Sequence, residues 1–205
     1  MDSVILVLDL LGTAVFALTG AMKGVRCKLD IFGVVVLACC VGVGGGMVRD
    51  CIIGDLPVAA LRNQMYLILC FAVGVLTFYT GKYWMHIRNI IQIADAVGLG
   101  IFTALGAWKG DVFHLGVIGI LLCGTFTAIG GGIIRDIFTG NIPVVLKSDF
   151  YATASLAGGL LYCLLRPLDP PVFLSFFPVA LFVIVLRLLA MHYHMQLPKS
   201  GKKVN

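Results

Sequence analysis

GGGMVRDCIIGDLP at residues 44–57 returns as GGGIIRDIFTGNIP at residues 130–143, 86 positions later. The register holds upstream without a gap. Asp9 matches Asp95, Gly12 matches Gly98 and Phe16 matches Phe102. Gly20-Ala21 matches Gly106-Ala107, Lys23-Gly24 matches Lys109-Gly110, and Gly33 matches Gly119. Agreement over so long a stretch makes the chain a duplicated unit. Each unit carries three glycines followed by an arginine and an aspartate.

Composition decides the setting of that motif. Hydrophobic residues make up 60% of the chain and charged residues 12%, and mean hydropathy is +1.04. Soluble domains run near ~25% charged, so the chain reads as an all-α integral membrane protein. Its 205 residues leave room for spans and short loops, not for a soluble domain. The stretch 4–22 is too long for a signal h-region, and only Asp2 precedes it where a basic n-region would stand, so it reads as a retained first helix. Cys27, Cys39, Cys40, Cys51, Cys70, Cys123 and Cys163 form no CxxC pair and no ligand spacing. They read as small packing residues.

A bilayer-crossing helix needs about 20 mostly apolar residues. Seven stretches qualify: 4–22, 31–53, 65–81, 90–108, 114–138, 151–166 and 172–192. Period-2 alternation is absent, which argues against a β-barrel. Three spans fall in each unit (4–81 and 90–166), and the span 172–193 lies outside the duplication. Three is odd, so the second unit enters the membrane from the opposite side. The expected architecture is an inverted 3+3 repeat plus a seventh helix, one membrane domain over 1–193, and a basic tail over 194–205. Inverted repeats of this kind place a transport pathway at the repeat interface. With the motif arginines set aside, Lys23, Arg26, Lys28, Lys82, Arg88, Lys147, Arg187, Lys199, Lys202 and Lys203 lie on one side; Arg62, Lys109 and Arg166 lie on the other. The positive-inside rule then puts the C-terminus in the cytoplasm and the N-terminus outside. The formal charge of +5 is thus a matter of topology and membrane lipid, with no nucleic-acid footprint.

Each glycine in a helix interior costs about 1 kcal/mol relative to alanine. Three together at Gly44, Gly45 and Gly46, and again at Gly130, Gly131 and Gly132, predict a break or kink inside the second and fifth spans. Backbone groups freed there survive only against protein or a watery cavity. Half-helix carbonyls at Gly44, Gly45, Gly130 and Gly131 would suit a dehydrating monovalent cation. The plainer reading is close helix packing through small residues. Arg49 and Arg135 follow about one turn later, and Asp50 and Asp136 come next. Sequence neighbours on a helix do not face each other, so each arginine is expected to pair with an acid of the other unit. The candidates are Asp9, Asp50, Asp95 and Asp136. Intramembrane charges are functional candidates by default, although these could also snorkel to the interface.

Asp9 and Asp95 lie about five residues inside spans one and four, each 14 positions before a lysine, Lys23 or Lys109. They could line one passage at two depths, or reach the other unit. GAMKG at 20–24 and GAWKG at 106–110 are GxxxG matches that let backbones approach closely. Pro57 and Pro143 mark the chain turning after each motif. His86, His114, His192 and His194 are isolated, the glycine runs lack a GK[ST] ending, and no nucleophile–base set stands out. An enzyme is not indicated.

Seven spans, a 3+3 repeat and GGGxxRD in both units resemble the prokaryotic members of the trimeric intracellular cation (TRIC) channel family, whose bacterial relatives are also described as glycine transporters. The resemblance covers about residues 4–193. It implies a homotrimer in a bacterial inner membrane, with an ion pathway through each protomer and kinked second and fifth helices whose glycines flank it. Animal members carry a lysine-containing KEV motif where this chain has its first glycine triplet, so a lipid site built on that lysine is not expected. The function implied is a monovalent cation channel, chiefly for potassium, with potassium or sodium as permeant ions and no cofactor. The rival is a carrier for glycine or another small zwitterion, with Arg49 or Arg135 holding the carboxylate and an aspartate the amine.

Overall fold

The structure, a computed structural model, describes residues 3–84, 89–147, 150–168, 172–193 and 195. Arg88, Lys199, Lys202, Lys203, His86, His194, the side chain of Lys82 and nearly all of the basic tail lie outside the described residues. The helices are α1 (Ser3–Arg26), α2 (Ile31–Ile53), α3 (Ala59–Arg62), α4 (Met65–Trp84), α5 (Ile90–Val112), α6 (Val117–Phe138), α7 (Val144–Lys147), α8 (Ala152–Leu165) and α9 (Val172–His192). Among the described residues, five are long and apolar enough to cross a membrane: α1, α2, α5, α6 and α9 over Leu174–His192. Met65–Gly81 and Ala152–Leu168 are shorter apolar helices.

The helices pack as two triplets. α1, α2 and α4 touch one another, as do α5, α6 and α8. The triplets join where α2 crosses α6 and α1 meets α5, and α9 lies against α5 and α8. Small residues make these approaches. A Cβ on Gly20 would stand 2.8 Å from the Leu37 carbonyl oxygen on α2, and one on Gly106 would stand 2.7 Å from the Cys123 carbonyl oxygen on α6. The GxxxG stretches therefore work within the protomer, each seating one helix of a triplet on the next. Leu37 and Cys123 are themselves 86 positions apart.

The glycine triplets do not break their helices. α2 is helical through Gly44–Gly46 and α6 through Gly130–Gly132. The expected half-helix ends are absent, and the carbonyls of Gly44, Gly45, Gly130 and Gly131 stay within helical runs. The physical reason is the crossing itself. A Cβ on Gly45 would collide with the Thr127 carbonyl oxygen, and a Cβ on Gly131 with the Val41 carbonyl oxygen. A Cβ on Gly130 would stand 2.8 Å from the Gly45 Cα. The propensity cost of glycine is offset by backbone-to-backbone packing that any side chain would prevent. Beside the crossing, Phe16 and Phe102 stack with centroids 5.1 Å apart and planes 28° from parallel. Each ring also fills the space over the other unit's glycine, Phe102 at Gly12 and Phe16 at Gly98.

The motif's last part closes α2 and α6. Gly54 (φ 75°) and Gly140 (φ 67°) adopt the left-handed conformation that favours glycine. The Gly54 N–H donates to the Cys51 carbonyl, and the Asp55 N–H to the Asp50 carbonyl at 2.9 Å. The Gly140 N–H donates to Ile137 and the Asn141 N–H to the Asp136 carbonyl at 2.8 Å.

These contacts separate the glycines by role. Gly45→Ala or Gly131→Ala must push α2 and α6 apart, and thermal unfolding in detergent should show a loss of about 1–3 kcal/mol. A Cβ on Gly46 meets nothing nearer than Arg49 Nη2 at 3.7 Å. Gly46→Ala should therefore be neutral, or stabilising by up to about 1 kcal/mol.

Candidate functional site: paired charges at the junction of the triplets

All six charges singled out by the motif and its surroundings are buried. Asp9, Arg49, Asp50, Asp95, Arg135 and Asp136 are each at most 7% exposed. Snorkelling to the interface is thus not how they are accommodated.

Neighbouring motif residues do pair, contrary to the helical-face expectation. Arg49 Nε donates to Asp50 Oδ1 at 2.9 Å, and Arg135 Nε donates to Asp136 Oδ1 at 3.0 Å. Both pairs lie close to the C-terminal end of their helix, where a long arginine can fold back beside the adjacent carboxylate. Each aspartate then spans the turn with its second oxygen. Asp50 Oδ2 accepts the Ala59 N–H at 2.9 Å, and Asp136 Oδ2 accepts the Val144 N–H at 2.8 Å. Ala59 and Val144 open the short helices α3 and α7. Asp50 and Asp136 are thereby pins between helix end and re-entry, which explains the spacing from Asp to Pro in both copies.

The expected cross-unit pairing of the arginines is also corrected. Arg135 Nη1 donates to Asp95 Oδ1 at 2.5 Å, within its own unit. Asp9 forms no salt bridge among the described residues; its Oδ2 accepts the Tyr66 hydroxyl at 2.7 Å. The link between units is made by a lysine. Lys109 Nζ lies 2.7 Å from Asp50 Oδ1 and 2.6 Å from Asp55 Oδ2. Of the two alternatives given for Asp9 and Asp95, contact with the other unit is not what their hydrogen bonds and ion pairs show, since Asp9 bonds Tyr66 and Asp95 pairs with Arg135, each in its own unit. Lys23, the counterpart of Lys109, makes no ion pair among the described residues. One of the two partners is missing from the sequence there: where the first copy has Asp55, the second has Asn141, although Asp136 is kept. Arg62 completes this cluster through an ion pair with Asp55. Arg187, counted above as a flanking charge, is buried, and its guanidinium lies 5.0 Å from the centre of the Tyr151 ring.

A cavity of about 20 Å³ opens beside the first site, lined among others by Asp9, Gly46, Arg49, Asp50, Tyr66 and, from the second unit, Phe102. That volume suits roughly one water. Of the six motif glycines, Gly46 alone is among the lining residues. Tyr66, Lys109 and Tyr151 were missed as site residues by sequence reasoning. The repeated Lys23/Lys109 register was a signal for the lysine. The tyrosines stand 85 positions apart rather than 86, which hid their correspondence. No group of three or more His, Cys, Asp or Glu side chains among the described residues could hold a metal ion.

Two helix triplets joined across a glycine crossing, with buried Arg–Asp pairs on either side, define a membrane protein of the TRIC-channel class. The crystal structure of the TRIC trimeric intracellular cation channel orthologue from Rhodobacter sphaeroides superposes with a TM-score of 0.87 at 31% identity, covering 95% of this chain and 100% of that one. The family model described as Glycine transporter matches residues 6–82 and 92–167, and the chain belongs to that family. Among its relatives, a UPF0126 membrane protein of Deinococcus radiodurans is 36% identical over 193 residues, covering 93% of this chain and 89% of the relative. The UPF0126 inner membrane protein YadS of Escherichia coli K12 is 32% identical over 197 residues, covering 93% of each.

Asp55 gives the Lys109 cluster a pH dependence. Burial opposes its charge, but Lys109 and Arg62 outweigh that and hold its carboxyl below the usual carboxylate range. A depressed carboxylate contributes stability that is full above its unfolded value of about 3.9 and is lost as pH falls through the lower folded value. Thermal unfolding followed down from roughly pH 6 to 3 should therefore show a loss in the acid limb that Asp55→Asn reduces. At the buried end of the cluster, Asp50→Asn should destabilise by roughly 3–5 kcal/mol, because it strands Arg49 in the core.

Proposed function

We propose that this protein is a monovalent cation channel with a pathway through each protomer between the two units. The observation that carries this reading is the cavity in the first triplet, lined by Asp9, Asp50 and Arg49 and bordered by Phe102 of the second unit, in a chain that shares its fold, at 31% identity, with a TRIC cation channel. Asp9 is the group suited to meet a cation there. It is buried, held by a neutral hydroxyl and joined to no cation by a salt bridge among the described residues, so it keeps negative potential available to a partly dehydrated ion. Arg49 supplies the opposing charge that keeps the ion from binding too tightly, since conduction requires exit as well as entry. Asp95 and Arg135 are the corresponding couple in the second unit. The glycines contribute by bringing α2 and α6 together, so that the charged ends of both helices flank one passage. With the helices unbroken, the acids replace glycine carbonyls as the expected ion contacts.

On this reading α1, α2 and α4 are inverted relative to α5, α6 and α8, making an inverted 3+3 repeat. The shorter α4 and α8 join the five long helices to give seven spans, and α9 returns the C-terminus to the cytoplasm. The reciprocal contacts Gly45–Thr127 and Gly131–Val41, each the other's image under an 86-residue shift, support that arrangement. The protein works as a homotrimer in a bacterial inner membrane, with residues 1–193 as one domain, 194–205 as a basic cytoplasmic tail, the N-terminus outside and potassium as the main permeant ion. Lipid contacts the outer faces, where Val7, Leu11, Ile68, Phe71, Leu76 and Leu181 are exposed.

The carrier reading keeps one observation in its favour: Asp9 and Arg49 place opposite charges around a single cavity in a member of a family described by glycine transport. A cavity of about 20 Å³ would have to expand before admitting an amino acid. Recordings of purified protein in planar bilayers separate the two readings. A channel gives unitary currents that reverse near the potassium equilibrium potential and that Asp9→Asn reduces. Silent bilayers with saturable, Arg49-dependent uptake of labelled glycine would replace the channel by the carrier.

A further inference from the structure

Two cysteines of the first unit stand side by side on neighbouring helices. Cys39 lies on α2 and Cys70 on α4, and their thiols are in hydrogen-bonding contact. The backbone explains the placement. Cys39 precedes Gly42 by three positions, so both lie on one face of α2. A Cβ on Gly42 would stand 2.6 Å from Cys70 Sγ. Cys70 therefore seats in the space that Gly42 leaves open, with Cys39 one turn away. Cys70 is fully buried, whereas Cys39 is half-buried. Cys40 is half-buried too, but neighbouring residues of a helix point to different faces.

The pair belongs to the first unit alone. The 86-residue register that relates α2 to α6 matches Cys39 with Thr125, and the 85-residue spacing that relates Tyr66 to Tyr151 matches Cys70 with Ser155. Those hydroxyls bond elsewhere: Thr125 donates to the Leu121 carbonyl at 2.8 Å, and the Ser155 hydroxyl lies 2.7 Å from that of Thr103. Small polar side chains thus fill the same positions in the second unit. What the thiols add is the capacity to be joined.

We propose that Cys39 and Cys70 form a modification site for hydroperoxides, closing to a disulfide that braces α2 against α4 beside the cavity. Hydrogen peroxide is small and uncharged, which suits a site inside an apolar bundle. The half-buried Cys39 reacts first as its thiolate. Its sulfur takes one peroxide oxygen, the O–O bond breaks, and the leaving hydroxide takes up the thiol proton as water. The product is a sulfenic acid. The Cys70 sulfur then attacks Cys39 Sγ, so that the S–S bond forms and the S–O bond breaks. The oxygen leaves with the Cys70 proton as a second water. Two thiols lose two electrons, and one peroxide becomes two waters. Gly42 and Tyr66 both line the cavity, and Cys70 follows Tyr66 by one turn on α4. The bond therefore ties together the walls that α2 and α4 supply, whatever passes between them.

Peptide mapping by mass spectrometry tests this in reconstituted wild-type protein treated with hydrogen peroxide, with free thiols alkylated after denaturation. The expected product is a peptide pair linked from Cys39 to Cys70, lighter by two hydrogens and returned to free thiols by a reductant. Cys40→Ser should keep the link, and Cys39→Ser and Cys70→Ser should each lose it. Linked chains should also unfold at a higher temperature than reduced ones, because the bond closes a loop in the unfolded chain. Cys39 and Cys70 recovered unlinked in the wild type, as intact thiols, as sulfinic acid or joined to other cysteines, would overturn the site. So would a link that requires Cys40. A linked chain no more stable than the reduced one would overturn the brace.

Discussion

Charge buried in an apolar fold constrains everything else in this protein. Six ionisable side chains lie at the ends and junction of two helix triplets, in a chain whose outer faces are Val, Leu, Ile and Phe. An unpaired ion there would cost several kcal/mol, so each one dictates a neighbour. Asp50 and Asp136 are satisfied by the arginine before them and by the first N–H of a following short helix. That requirement fixes where α2 and α6 must end, why glycine follows four residues later, and why the chain folds back at once. The motif is a helix terminus with its counter-charges built in.

The glycine crossing serves the same end. Backbone contact between α2 and α6 brings the two termini motifs into one assembly, and the stacked Phe16–Phe102 pair packs beside it. Because the contacts are reciprocal, the two sites would be identical if the sequences were. They differ at a few positions with direct consequences. Asp55 against Asn141 gives Lys109 a second partner that Lys23 lacks. The first site is therefore tied across the units by charge, and among the described residues the second has no such ion pair.

Much of the helix arrangement could be read from the chain. The stretches 31–53 and 172–192 are observed as helices with those bounds, and the register of 86 recurs in the contacts. Span ends were less legible, as α1 and α5 each run four residues beyond their apolar stretch, to Arg26 and Val112. Of the break or kink expected at the glycines, the break is absent. Propensity predicts a break where backbone packing sustains a helix, and propensity contains no information about a partner 86 residues away. Pairing partners were misread for a related reason: helical-wheel geometry places Cβ atoms, whereas an arginine at a helix end reaches its neighbour through a long flexible stem. Tyr66 and Tyr151 carried no visible signal, because a tyrosine in an apolar helix reads as packing until an acid is placed beside it.

The account rests on Asp9 standing on the route of a cation between the units. Anomalous diffraction from crystals of this protein soaked in rubidium or thallium salt addresses that directly. A peak in the cavity between Asp9, Tyr66 and Arg49, lost in Asp9→Asn crystals, is the predicted result. Anomalous peaks confined to places outside the junction of the two units, with the cavity empty at high salt, would contradict it.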